Sequence, residues 1–561
     1  MEFYDFAWSA LYQLVGTEAD NVRILIHDDL RFPYLGRDRY GYVLHLIKPR
    51  KLGRDHVMFQ GMRLNLRIPF HKKVVWHLFK AATYHLTLHA AFSDFSFYWK
   101  LPRTENLNVA AYAVSLVEDA ALKSRLMKQH SALIPDIAFA NAVSHFLLKP
   151  VSEMPNDASK IMTALLSKLN IGEIKGKLDG DMEKDVKEIE ASLQNLDADA
   201  EKHVKLEAAH QIYEKITRYG EPFEVPSLLY TESHGRNTRF YEEKTLSWDK
   251  IKPVFIQALS TFQTGNEQLN AGVQNVEDGG EAFRALRTWE ELEASKQKIL
   301  AQYAAIGKGT LFEDFAFPIE DYAQYLRRRK ILGSSIRRIM HKLRLLKNVT
   351  GEDFRQESGF IDLQEAIQVI ASKSQRTDIF VREELQTRQD TWSILIDASH
   401  SLSLFKGEVS GVALCLAEVA KTLILNQNSW GVYAFNNKFY IVKDFSETYT
   451  NRVRARIGGL THGGLTYLPD AVKLASQALM KRLEEAKVLV IISDFFPSGY
   501  ENIEDDLKET LKKIERMGIG VIGIGIRSKA VKKYLRASCV VRTPFELMKK
   551  FTKAFIEFSS T

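Results

Sequence analysis

Asp397, Ser399 and Ser401 stand at alternate positions of the stretch TWSILIDASHS (Thr391–Ser401), so one carboxylate and two hydroxyl oxygens can turn toward a single point of a loop. Hard oxygens of this kind suit a divalent cation. Mg²⁺ fits best, because it takes oxygen ligands, keeps several waters and is usually held by only one or two carboxylates. Serine-rich loops after apolar runs are common, and two later features add weight to this one. Gly463-Gly464-Leu465-Thr466 is a glycine-flexed turn that presents a hydroxyl just ahead of a helical run, Asp470 to Leu483. Lys487 to Asp494 (KVLVIISD) is another apolar run with an acid at its polar end. Ligands of open parallel sheets bind beyond the carboxyl ends of the strands, where both Asp397 and Asp494 fall, so these pieces are expected to converge on one site.

A second constellation lies far upstream. His85-Leu86-Thr87-Leu88-His89 puts two imidazoles at i and i+4 on one helical face, and Glu118-Asp119 follows in the next helical run. This is the spacing of a His-Glu-x-x-His zinc site with a downstream Glu ligand, here Glu118, except that Leu86 stands where the general base belongs. Without that carboxylate, peptidase chemistry is not expected. The plainer reading is two histidines on a packed helix face, with a zinc site lacking catalysis as the alternative. On the plainer reading His85→Ala changes neither metal content nor function.

The elements that must position the oxygen cluster alternate. Strands are expected over Ser393–Ile396, Gly431–Phe435, Phe439–Lys443, Val488–Ile492 and Gly520–Ile526, and helices over Val409–Leu425, Asp470–Leu483, Asp505–Met517 and Pro544–Phe558. Such alternation predicts an α/β domain with a mainly parallel sheet covered on both faces. Ahead of it, residues 1–150 read as a mixed, mainly helical domain. Its short strands (Val22–Ile26, Tyr42–Ile47, Met62–Ile68) precede long apolar-periodic helices over Val74–Ala91 and Val109–Met127. Residues 151–347 read as helical and charged, with Asn266–Glu281 as a polar, acidic loop. That region ends in a basic amphipathic helix, Tyr325–Lys347, whose stripe is Leu332, Ile336, Ile339, Leu343 and Leu346. Residues 348–390 read as a connector with a short helix from Ile361 and an edge strand at Asp378–Glu383; the α/β domain occupies 391–561.

Composition closes off other classes. At 561 residues the chain is too long for a single core. Its 45% hydrophobic and 26% charged content is that of a folded globular protein. The balance of 77 basic against 70 acidic residues permits an acidic partner without demanding one. The basic helix lacks the interleaved aromatics of a nucleic-acid surface, so no nucleic acid is expected. Only Cys415 and Cys539 occur, without ligand-spaced neighbours, which suits a reducing compartment. The opening MEFYDFAWSALYQ has acids where a signal peptide has bases, and no uncharged apolar run is long enough to span a bilayer, so a cytoplasmic location and no transmembrane segment are expected.

With these residues in view, Thr391 to about Ile526 resembles a von Willebrand factor A domain, a Rossmann-like fold. Asp397, Ser399, Ser401, Thr466 and Asp494 match its metal-ion-dependent adhesion site. The approach from Glu352 to Ser399, and SDFFPSGYENIEDD after the second acid, resemble the family of the nitric oxide reductase activation protein NorD and the Rubisco-activation protein CbbO. Phe495-Phe496 departs from that family, where a Gly is usual. The resemblance implies a non-enzymatic adaptor that binds a MoxR-class AAA+ ATPase and uses Mg²⁺ at the adhesion site to engage an acidic residue of a target metalloenzyme. A metal chelatase-like accessory subunit is the alternative, and a metallopeptidase a distant third.

Overall fold

The computed structural model describes residues 2–559 except 17–20, 102–105, 223, 232–239, 263–265, 348–350, 359, 373, 385–389, 425 and 485. The chain divides into two compact units, Met1–Ala294 and Ser295–Thr561. These do not follow the four segments read from sequence, because the basic helix belongs with the α/β domain.

In the first unit, helix Pro69–Phe92 is buried nearly all round, and a proline in its first turn marks its start. It packs against helices Phe3–Val15, Leu107–Gln129 and Ile134–Leu147. Two three-stranded sheets accompany the helices: Arg23–His27, Gly41–Ile47 and Tyr34–Asp38 in that order, and Arg50–Lys51, His56–Phe59 and Met62–Asn65. The expected loop at Asn266–Glu281 is a helix, Asn266–Asp278, followed after Gly279 by helix Gly280–Ile306. Gly272 and Val276, four apart, turn inward, while the intervening polar residues face solvent. Polarity on one face hid the helical period. The break itself falls at Gly279, whose φ of 59° ends the first helix.

The second unit is built on a seven-stranded sheet. Its order is Ser538–Val541, Ile519–Ile526, Ala486–Ser493, Asp390–Asp397, Trp430–Phe435, Phe439–Lys443 and Phe315–Ala316. Every neighbouring pair is parallel except Trp430–Phe435 with Phe439–Lys443. Side-chain alternation divides the central strand between two cores. Trp392, Ile394 and Ile396 face helices Lys406–Leu423, Tyr322–Lys347 and Pro544–Ser559. Leu395 faces the other side, toward helices Leu468–Met480 and Ile503–Arg516 and toward Ile299 and Tyr303.

The basic helix is therefore a layer of this unit: Leu332, Ile336 and Ile339 are buried on the sheet side, while Arg337 and Arg338 are exposed. The side chains of Leu343 and Leu346 lie outside the described residues. Between the two helices that flank it, the segment leading to Asp321 is held tightly. Gly458 and Gly459 lie directly beneath it, and a Cβ on Gly459 would stand 1.8 Å from the Ile319 carbonyl oxygen.

The expected edge strand at Asp378–Glu383 forms instead as Phe380–Glu384, the centre of a separate antiparallel sheet. It found local partners in Gly351–Gln356 and Phe360–Ile361, within the segment read as a connector. Residues 348–350, 359, 373 and 385–389 of that connector lie outside the described residues. No helix among the described residues is long and apolar enough to cross a membrane.

Candidate functional site

Strand Asp390–Asp397 is buried along its whole length and delivers Asp397, fully buried, at its carboxyl end. There the backbone turns through a tight loop in which the Ser399 amide donates to Asp397 Oδ1 at 2.9 Å. Ser399 Oγ and Ser401 Oγ lie 3.0 Å apart. The next strand over ends in Ser493-Asp494, and Ser493 Oγ donates to Asp397 Oδ2 at 2.5 Å. Backbone bonds tie in the glycine turn: Gly463 N to Ala398 O at 2.9 Å and His400 N to Gly464 O at 3.0 Å. Thr466, buried, exchanges bonds with Ser498, its amide donating to the Ser498 hydroxyl at 3.2 Å and its carbonyl accepting from the Ser498 amide at 3.1 Å. The loops bearing Asp397, Ser399, Ser401, Thr466 and Asp494 are thus laced together at the carboxyl ends of adjacent parallel strands.

The donor set is all oxygen, two carboxyls and three hydroxyls, which suits a hard divalent cation. Its electrostatics ask for one. Burial, and next the neighbouring Asp494 carboxylate, push the Asp397 carboxyl up to about 7, even though Ser399 and Ser493 donate to it. Positive charge between the two acids would offset both effects. On the rim, burial and then the cations Arg328 and Lys406 hold the His462 imidazole down at about 4, so the surroundings of the glycine turn are basic.

Several supporting residues escaped the sequence reading. Asn437, in the turn between strands Trp430–Phe435 and Phe439–Lys443, accepts the Leu465 amide at 2.6 Å. Its side chain also fills the space where a Cβ on Gly464 would stand, and Gly464 has φ 77°. An Asn-Asn pair between apolar runs signals a turn, but nothing in its spacing says which loop it braces. Phe495 holds the left-handed φ of 59° with its ring buried. Its ring stacks on that of Tyr534, with centroids 6.3 Å apart.

Upstream, the structure changes one expectation about the histidine pair. Glu118 turns away into a buried pairing with Lys205 Nζ, at 3.1 and 3.2 Å, and accepts the Tyr98 hydroxyl at 2.7 Å. The acid that meets His85 and His89 is Asp119. Adjacent residues on a helix point about 100° apart, and sequence could not choose between them. Leu86, in the place of a general base, is a buried core residue.

A family model for the von Willebrand factor type A domain matches residues 393–541. No curated protein matches the chain. Among solved structures, the crystal structure of the Deinococcus radiodurans RO (RSR) protein is similar at 12% sequence identity over 85% of this chain and 86% of that chain, with a TM-score of 0.21. Residues 393–541 are thus a von Willebrand factor type A domain, a module that commonly binds a divalent cation at such loops and serves protein interaction.

Proposed function

We propose that the A domain at residues 393–541 serves a non-enzymatic adaptor, which binds Mg²⁺ through Asp397, Ser399, Ser401, Thr466 and Asp494 and uses it to engage an acidic side chain of a partner protein. The observation that carries this reading is the lacing of three loops that brings these oxygens to one end of the sheet. A cation held largely by neutral hydroxyls keeps positive charge and an open position for an incoming Asp or Glu. Arg328 and Lys406 near the same turn favour the same kind of partner. The chain's own residues fix the loops, exclude water from Asp397 and leave Ser401 at the surface.

The sequence resemblance to the NorD and CbbO family supports a MoxR-class AAA+ ATPase as one partner and a metalloenzyme awaiting activation as the other. The chain contains no Gly-x-x-x-x-Gly-Lys-Ser/Thr loop, so on this reading ATP hydrolysis comes from the partner. The chelatase-like alternative would call for a long acidic linker, and Asn266–Asp278 is a packed helix.

The test is a pull-down of the purified chain from an extract of its source cell with Mg²⁺ and ATP, read by mass spectrometry and repeated with Asp397→Ala and with Ser399→Ala/Ser401→Ala. Recovery of an AAA+ ATPase with all three forms and of a metalloenzyme with the wild type alone is expected. A target retained undiminished by both variants would remove the adhesion site from the mechanism, and the lack of any ATPase would remove the adaptor reading.

A further inference from the structure

The histidine pair and Asp119 form a triangle of donor atoms. His89 Nε2 lies 3.1 Å from His85 Nε2 and 3.0 Å from Asp119 Oδ1, and the remaining side, His85 Nε2 to Asp119 Oδ1, is 3.6 Å. A circle through three points with these separations has a radius of about 1.9 Å, just inside the usual zinc–nitrogen distance of roughly 2.0–2.1 Å. An ion at bonding distance from all three would sit slightly off their plane, as it does above one face of a tetrahedron.

Protons alone satisfy this triangle poorly. His89 Nδ1 is engaged with Ser93 Oγ at 2.9 Å, which fixes the ring and aims Nε2 at the other two atoms. One nitrogen carries one hydrogen at most. If His89 Nε2 bears it, the hydrogen points along one contact and leaves the other unmet. If it does not, a nitrogen lone pair faces a carboxylate oxygen. A cation satisfies all three contacts together.

The surroundings fit as well. Both imidazoles are buried. His85 and Asp119 line a cavity of about 30 Å³, room for a water as fourth ligand. The ammonium of Lys123 on the same wall is committed to the Leu169 carbonyl and the Thr261 hydroxyl. The Ser93 contact is the outer bond that orients a ligating histidine in most metal sites.

We propose that His85, His89 and Asp119 hold a divalent transition metal of the zinc class, pinning helix Pro69–Phe92 to helix Leu107–Gln129. Two imidazoles prefer such an ion to Mg²⁺, so the site would take a different metal from the oxygen loops of the A domain. It stands independently of the adaptor reading. With Leu86 in place of a general base, its role is structural, and the expectation that His85→Ala leaves metal content unchanged is reversed.

The test uses the full chain, stripped by chelator, reloaded with zinc, freed of excess by gel filtration and assayed for metal. About one zinc per chain should remain in the wild type and in Asp397→Ala, and less than about a tenth in His89→Ala or Asp119→Asn. Cobalt(II) loaded in place of zinc should give the intense visible d–d absorption of a four-coordinate ion with nitrogen ligands, a signature a merely packed pair of histidines cannot produce. A wild-type chain that is folded by circular dichroism yet retains no zinc and shows no such cobalt spectrum overturns the proposal. So does zinc retained equally by His89→Ala and Asp119→Asn. Should His89→Ala fail to fold, the wild-type cobalt spectrum decides.

Discussion

At the scale of single residues, Gly459 shows how close approach, rather than conformation, can demand a glycine. Its backbone is in no unusual region, but a Cβ would collide with the Ile319 carbonyl, and neither backbone can yield cheaply. Gly459→Ala should therefore destabilise the protein by about 3 kcal/mol, read as a lowered midpoint in denaturant. Gly407→Ala, whose Cβ would meet nothing within 4 Å in a helix, should be neutral or stabilising by up to about 1 kcal/mol. The requirement at Gly459 was invisible in the sequence, because it belongs to a through-space neighbour 140 positions away. The oxygen loops were legible for the opposite reason. Asp397 and Asp494 end apolar runs, and strand ends are where a parallel sheet exposes its loops. Ser493, Ser498 and Asn437 are common turn residues whose bracing partners lie in other loops, and Asp119 differs from Glu118 only by helical phase.

At the scale of elements, Glu320 fastens the segment over Gly458 and Gly459 to its neighbours. Its carboxylate meets Arg452 at 2.8 Å and Lys296 and Arg456 at 3.5 Å each. Burial alone would raise its pKa, but Lys296, Arg452 and Arg456 outweigh that and hold it well below the ordinary 4.5. A carboxyl depressed in the folded state contributes stability that is present above 4.5 and fades as pH falls through and below that value. Between pH 6 and pH 3 the wild type should lose about 2 kcal/mol through this group. Glu320→Gln, weaker at neutral pH, should lack that increment, and chemical denaturation at the two pH values would reveal the difference. Most helices and strands of the A domain were readable because each carries an unbroken apolar run or stripe. Those missed in this unit include Phe315–Ala316, Gly351–Gln356, helix Asn451–Gly458 and strand Ser538–Val541, which are too short or too polar to carry a period of their own.

At the scale of the whole molecule, two units with separate cores, each carrying one of the two proposed metal sites, should not melt as one. Scanning calorimetry is expected to resolve two transitions. Mg²⁺ at about a hundred times its dissociation constant should raise only the transition of residues 295–561, by about 2.7 kcal/mol or roughly 5–10 °C. Zinc should raise only the other, and a chelator should lower both. Mg²⁺ acting on the first unit, or on neither, would contradict the placement of its ligands.

The strand Phe315–Ala316 has a further consequence. The open side of a sheet is a template on which another chain can lay a strand, and unprotected sides of this kind drive self-association. Strand Phe439–Lys443 would present such a side. Its own chain covers it at Phe439 and Tyr440, with Asp314 accepting the Phe439 amide at 3.0 Å and pairing with Lys438 at 3.0 Å. A shortened protein beginning after residue 320 would keep every oxygen ligand and lose that guard. The stretch ahead of the family match thus shields part of a sheet edge that would otherwise offer its unpaired backbone groups to another strand.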